Sequence, residues 1–327
     1  MNAAREVLLT VEGLRKHFPT KTGLLSRGAK VLAVDGVGFS VHEGETLGLV
    51  GESGCGKSTT GKLILRLLDP TDGQVLWRGR RIDRLSRGEM RPVRRELQAV
   101  FQDPYASLNP RMRAMDIVAE PLRNYESLRT EQVRSRTADL FQRVGLRADQ
   151  LVKYPYEFSG GQRQRLGIAR ALALRPKLIV CDEPVSALDV SVQAQVVNLL
   201  MDLQAEFDLS YLFVAHDLAV VEHISHRVAV MYLGKIVEIA PKRAIFTQPQ
   251  HPYTVALLEA VPIPDPTIRK QRRVLAGDVP SPINPPAGCR FQTRCPYVED
   301  RCRQEEPPLQ EISPGQWVAC HLRQPGG

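Results

Sequence analysis

Thr46-Leu47-Gly48-Leu49-Val50-Gly51-Glu52-Ser53-Gly54-Cys55-Gly56-Lys57-Ser58-Thr59 is the stretch that decides the fold. A short apolar run, read as a buried strand, enters Gly-x-x-x-x-Gly-Lys-Ser, and a helix is expected to follow. The spacing has a physical reason. The glycines let the backbone curl so that successive N–H groups point at phosphate oxygens, and the next helix adds its positive end. Lys57 is expected to reach the β- and γ-phosphates of a nucleotide, and the Ser58 hydroxyl to ligate Mg2+. Cys55 reads as a small loop residue, because nothing near it in sequence pairs with it.

Leu178-Ile179-Val180-Cys181-Asp182-Glu183 supplies a second half. A carboxylate at a strand's end can hold Mg2+ through water, a role that falls to Asp182. Glu183, one residue further, is placed to orient or deprotonate an attacking water. Ser210-Tyr211-Leu212-Phe213-Val214 is another buried strand, followed by Ala215-His216, and helical patterns such as Val192 to Met201 separate these runs. Strands alternating with helices predict an α/β protein with a mainly parallel sheet. Residues 7–45 and 74–82 alternate instead like antiparallel strands. Residues from about 103 to 165 read as a mostly helical subdomain.

The chain has 327 residues, 43% of them hydrophobic and 24% charged, which excludes a disordered or collagen-like protein. No apolar run approaches ~18 residues, so no spanning helix is expected. The N-terminal residues lack the apolar core of an export signal, and a cytosolic location is expected. A net charge of +8 suits a nucleotide, an anionic membrane face or nucleic acid, and 6% aromatics argues against base-stacking surfaces.

Of the 24 prolines, 15 fall in residues 241–327. Such a segment is poor in ladder donors. A compact domain over residues 1–238 and a loop-rich extension over 239–327 are expected. Four of the six cysteines lie in that extension, as Cys289-x5-Cys295-x6-Cys302-x17-Cys320. Grouped thiolates in a weakly hydrophobic stretch suggest a bound metal that supplies the order a small core cannot. The spacing is wider than the Cys-x2–4-Cys pairs of structural zinc and suits an all-cysteine iron–sulfur cluster. Zinc, with His321 as a substitute ligand, and unligated or disulfide-bonded thiols stay open.

Tyr156-Glu157-Phe158-Ser159-Gly160-Gly161-Gln162-Arg163 decides between families with a phosphate loop. Ser-Gly-Gly at a helix N-terminus is a second anion-binding end. One chain cannot easily bring both ends to one nucleotide, whereas two chains packed head to tail can. The stretch resembles the signature of ATP-binding-cassette (ABC) ATPases, usually Leu-Ser-Gly-Gly-Gln, with Phe158 in place of the leucine. Other family motifs follow in order: Gln102 matches the Q-loop glutamine, Ser186-Ala187-Leu188-Asp189 the D-loop, and His216 the switch histidine. Phe18 lies where the family stacks a ring on adenine. The resemblance covers residues 7 to about 238 and implies ATP hydrolysis with Gln102 near Mg2+, Glu183, Lys57 and His216 at the γ-phosphate, and Ser159 to Gln162 closing on a partner's ATP.

Residues Phe101 to Met112 and His251-Pro252-Tyr253 are similar to the ATPases of bacterial oligopeptide/dipeptide importers, and Tyr105-Ala106 to the second of their two paired ATPase subunits. Nickel and glutathione importers belong to the same group. The resemblance implies a paired ATPase subunit (a heterodimer), two integral membrane permease subunits, an extracytoplasmic substrate-binding protein, a peripheral place on the cytoplasmic face of the inner membrane, and no nucleic acid. Related ATPases carry a [4Fe-4S] cluster on cysteines spaced like the four above. Residues around 103–112 are expected to line the groove that receives a short helix of the membrane subunit.

Overall fold

A computed structural model of the protein describes residues 6–20, 29–260 and 277–323. The chain forms two compact units: Met1–Leu8, Val41–Thr46 and Arg84–Ala215 make the first, and Leu9–Ser40, Leu47–Asp83 and His216–Gly327 the second.

In the first unit the strands Leu97–Val100, Leu178–Asp182 and Ser210–Val214 run parallel, with Leu178–Asp182 in the middle. The register sets Val100 beside Cys181, and Asp182 beside Val214. Leu178–Asp182 and Ser210–Val214 are buried at every position, as continuous apolar runs of a parallel sheet require. The helix Val190–Phe207 begins where the Asp189 carboxylate accepts from the Val192 N–H, 2.9 Å, and ends at Asp208 in the left-handed region. Its Leu200 carbonyl accepts the buried Tyr211 hydroxyl at 2.9 Å.

The expected helical region is present as Pro104–Ser107, Ala114–Tyr125, Thr130–Arg143 and Gly160–Leu172, with two short 3-10 turns between the last two helices. Ala119, Leu122, Val133, Ala173 and Leu174 form its buried core, with Tyr125, Leu128 and Leu140 packed against them. The charged residues 131–138 are mostly exposed, but Val133 and Thr137 face inward, the one-in-four repeat of an amphipathic helix.

In the second unit a four-stranded sheet has the order Lys30–His42, Val7–Pro19, Asp72–Trp77, Arg80–Arg81; Leu9 stands opposite Trp77 in an antiparallel pair. Beside it, Thr46–Val50 pairs in parallel with Arg227–Tyr232. Arg227–Tyr232 then pairs antiparallel with Lys235–Pro241, which pairs with Gln316–Val318, and that with Gln310–Ser313. The cysteine-bearing segment thus contributes two short strands, and residue 238, the boundary expected from proline content, lies inside the Lys235–Pro241 strand. Among the described residues no helix is long and apolar enough to cross a membrane.

Polar anchors fix the extension in place. Glu238 is fully buried and accepts from the backbone N–H groups of Gln250 and His251, both 2.9 Å, and from the Gln316 side-chain amide at 3.2 Å. Burial holds the His251 ring well below the usual imidazole range, at about 3, with Arg323 adding to the effect; its neutral Nδ1 accepts the Tyr253 N–H at 3.1 Å. Replacing Glu238 with alanine leaves the buried His251 N–H and the part-buried Gln250 N–H without their acceptor, and a buried donor left so costs about 1–3 kcal/mol. The expected result is a fall in melting temperature of about 5–10 °C, followed by circular dichroism, with a smaller fall for Glu238→Gln, which retains one acceptor. An unchanged melting temperature for Glu238→Ala contradicts the anchor.

Candidate active site

The phosphate loop lies in the second unit. Its curl depends on two glycines. Gly51 and Gly56 have φ of 151° and 110°, and a Cβ on either would sit 2.1 Å from a backbone oxygen, that of Met231 and of Ala33 respectively. Only a residue without Cβ fits there. The helix Lys57–Ile64 starts directly after Gly56, and no described side chain caps it, so its first-turn N–H groups are the positive end expected of an anion site. Lys57 is 3% exposed, and its Nζ donates to the carbonyls of Gly51 at 2.8 Å and Glu52 at 3.1 Å. Ser53 and Gly54 are exposed, and Ser58 and Thr59 are half-buried on the first helical turn. Burial pushes the Cys55 thiol up, against the pull of Lys57, which makes it an unreactive loop residue. Phe18 is half-buried in the same unit, with Lys16 Nζ 5.1 Å from its ring centre.

Asp182 and Glu183 close a strand of the first unit. Asp182 is 8% exposed, a carboxylate of the hard-oxygen type that suits Mg2+. Glu183 leaves the strand at φ 47°, a left-handed conformation uncommon for a residue with a Cβ. Its N–H still donates to Val214 O at 2.9 Å, and the Gln102 Nε2 donates to its Oε2 at 3.0 Å. Residues 81 positions apart are thereby brought together. Such local strain concentrates at functional positions. Ser186 Oγ donates to Glu183 O at 3.1 Å, which ties the D-loop to the same turn.

Ser159 caps the helix Gly160–Leu172 in the same unit. Its Oγ accepts from the Gln162 N–H, and the Gln162 Oε1 accepts from the Ser159 N–H at 3.0 Å. Phe158 is 2% exposed, so it fills the leucine position as a buried apolar anchor. Ser159 and Gly160 are exposed. The stretch after Gln102 is attached to this helix: Arg163 lies over the Tyr105 ring at 4.8 Å, and Arg170 Nη1 donates to Ser107 O at 2.6 Å. His216 opens the second unit, exposed, just before the Leu218–Ile224 helix.

Two residues that motif spacing does not single out touch the phosphate loop. The Glu52 N–H donates to the Tyr253 hydroxyl at 2.9 Å, and Arg294 forks onto the Glu52 carboxylate at 2.9 and 3.1 Å. Tyr253 belongs to the His-Pro-Tyr triplet, which gave a signal; Arg294 gave none, because a partner 242 residues away leaves no periodic trace.

The four late cysteines are unpaired. Each sulfur lies within electrostatic reach of the other three. Burial and these neighbours push the Cys289 thiol up to about 11. The nearby backbone N–H groups of Phe291, Tyr297 and Leu322 pull the Cys289, Cys295 and Cys320 thiols the other way, without offsetting burial. Among the described residues, however, no three His, Cys, Asp or Glu side chains are placed to hold one metal ion. That arrangement supports neither the iron–sulfur cluster nor zinc, and His321 is engaged with the Glu305 carbonyl at 2.9 Å.

Residues 34–186 match the ABC transporter family, and residues 237–302 match the oligopeptide/dipeptide transporter C-terminal region. The chain is 56% identical, over 98% of its length and 91% of the other's, to the probable peptide ABC transporter ATP-binding protein y4tS of Sinorhizobium fredii. It is 54% identical, over 95% of its length and 96% of the other's, to the oligopeptide transport ATP-binding protein OppF of Salmonella typhimurium. Its fold is similar to the dimeric ATP-binding cassette MJ0796 bound to ADP and Pi, with a TM-score of 0.65 and 29% identity over 72% of this chain and 99% of that one. A phosphate loop, two strand-end acids and a capped Ser-Gly-Gly helix thus occur in a chain that belongs to the ABC transporter family, as one of its ATP-hydrolysing ATP-binding subunits.

Proposed function

We propose that this chain powers the import of di- or oligopeptides, as one of two paired ATPase subunits on the cytoplasmic face of the inner membrane. The observation that carries the reading is likeness over nearly the whole chain, C-terminal region included, to peptide transport ATP-binding proteins. The working assembly contains a second ATPase subunit, two integral permease subunits and an extracytoplasmic binding protein. Residues 1–238 serve as the cassette, with 103–165 as its helical subdomain and 239–327 as the extension.

Phe18 stacks on adenine, and the loop Gly51 to Gly56, through N–H groups other than that of Glu52, which donates to Tyr253, takes the phosphates together with the first turn, Lys57 to Thr59. The Lys57 ammonium offsets charge on the β- and γ-phosphates. Ser58, Gln102 and Asp182 would hold Mg2+, which when bound neutralises charge on the phosphate oxygens. Glu183 takes a proton from water as that oxygen forms its bond to γ-phosphorus and the bond to the ADP oxygen breaks, which yields ADP and inorganic phosphate. The amide of Gln102 orients Glu183, and the His216 ring donates to a γ-phosphate oxygen. Ser159, Gly160, Gly161 and Gln162 close on the ATP of the partner subunit, so binding drives the two cassettes together.

For the four cysteines, the reading supported best is a [4Fe-4S] cluster on Cys289, Cys295, Cys302 and Cys320. Four thiols within 32 residues, spaced more widely than the pairs of structural zinc, are what support this reading, since a cluster's size spreads its ligands. Bound there, it would cross-link the extension and leave the ATP chemistry to the cassette.

Two measurements test these assignments. In the assembled transporter, Glu183→Gln is expected to bind ATP as wild type does and to hydrolyse it at least about 100-fold more slowly, and to fail to restore peptide uptake to cells that lack the chain. Normal turnover, or uptake unaffected by loss of the chain, contradicts the reading. Anaerobically purified protein is expected to carry about four iron and four acid-labile sulfide per chain; one zinc and no sulfide overturns the cluster.

A further inference from the structure

A carboxylate inside a phosphate loop is an electrostatic problem. Glu52 follows the first glycine of the loop, and its own carbonyl accepts from the phosphate lysine, Lys57. Left to itself, an anion there repels the triphosphate that the loop exists to hold. The structure shows how the charge is managed. Arg294, from the cysteine-bearing extension, grips both carboxylate oxygens of Glu52, and its side chain is 7% exposed. A charge-assisted fork of this kind fixes direction as well as charge. The Glu52 N–H is turned onto the Tyr253 hydroxyl, so both the side chain and the backbone of this one residue are held by groups outside the loop.

The holders are themselves held. The Tyr253 ring packs at a tilt against Tyr232, centroids 4.6 Å apart, and against Phe291 at 5.5 Å, and Tyr232 meets Phe291 edge-on at 5.3 Å. The Arg294 guanidinium lies 5.9 Å from the Tyr232 ring centre. Three aromatic rings and one guanidinium, drawn from strand, helix and extension, form a rigid seat against which Glu52 rests.

We infer that Arg294 and Tyr253 are positioning residues for ATP binding: Arg294 neutralises Glu52 and directs it to the extension, Tyr253 fixes the adjoining backbone, and the C-terminal extension is by this route part of the nucleotide site. The inference rests on the assignment of residues 51 to 58 to the ATP phosphates, and it stands whether or not the cysteines hold a cluster.

The test is ATPase kinetics and equilibrium MgATP binding of the assembled transporter. Arg294→Ala is expected to raise KM and Kd for ATP about tenfold, the effect of one charge-assisted interaction, with kcat within about twofold because the chemical step is untouched. Adding Glu52→Gln to Arg294→Ala removes the stranded charge and is expected to bring KM back to within about threefold of wild type. A residue that merely supports the extension's fold would show no such rescue. Tyr253→Phe retains the ring and deletes only the acceptor; it is expected to raise KM about threefold with an unchanged melting temperature, and it decides the matter if Arg294→Ala does not fold. Unchanged KM in both Arg294→Ala and Tyr253→Phe, or a double variant no better than Arg294→Ala, overturns the inference. Lys57→Ala is the separate check on the loop itself. If it leaves ATP binding intact, the ATP assignment fails; if it abolishes binding while the Arg294 and Tyr253 variants are normal, only the positioning role fails.

Discussion

The close approach of the phosphate loop to its own sheet is the constraint from which the second unit is built. Backbone oxygens of Ala33 and Met231 come so near Gly56 and Gly51 that no side chain fits at either position. The Gly234 N–H donates to Cys55 O at 2.9 Å and completes the contact. These are backbone-to-backbone relations, so they fix the loop independently of most side chains. They also explain why the strand Arg227–Tyr232 is buried at five of its six positions and pairs in parallel with the strand that feeds the loop. With the curl fixed from behind, the N-terminal end of the helix Lys57–Ile64 is placed at the loop, and Lys57 is held there by two loop carbonyls.

The first unit solves a different problem. A strand-end carboxylate has to be aimed, and Glu183 is aimed by leaving a strand at φ 47° while its N–H remains in register with Val214. The Gln102 amide then holds one carboxylate oxygen. Since the stretch after Gln102 is also bound to the helix Gly160–Leu172 through Arg163 and Arg170, a displacement of that helix acts on the same segment that holds Glu183. The coupling is contiguous and physical: ring, guanidinium, carbonyl, amide, carboxylate.

The local parts of this design were legible in the sequence. A strand, a glycine-rich turn and a lysine sit within fourteen residues, so their joint meaning survives without a structure, and Ser159-Gly160-Gly161 reads directly as a helix N-terminus. The parallel strands Leu178–Asp182 and Ser210–Val214 were visible because burial on both faces forces continuous apolar runs. What was illegible is long-range and polar. Nothing in the neighbourhood of Glu238 says that its carboxylate collects Gln250, His251 and Gln316, and nothing near Arg294 points to Glu52. The strands Gln310–Ser313 and Gln316–Val318 are too short to show alternation above the noise of a proline-rich tract. The cysteines drew attention as organisers of that tract because they were its only conspicuous chemistry, whereas most of its described order comes from Glu238, the aromatic seat and Arg290, which donates to Leu233 O at 2.8 Å and pairs with Asp35.

Why polar anchors rather than a larger apolar core? An apolar face docks strongly but with little preference for register, whereas a buried carboxylate with three donors is satisfied in one arrangement only. For an element that must deliver one guanidinium to one loop residue, a single arrangement matters more than total stability. Arg290 and Arg294 stand four residues apart in the segment that also carries Cys289 and Cys295, each arginine adjacent to one thiol. The short stretch of chain that carries two of the thiols thus also carries the arginines that hold Asp35 on one side and Glu52 on the other, so its register is fixed by charge at both ends.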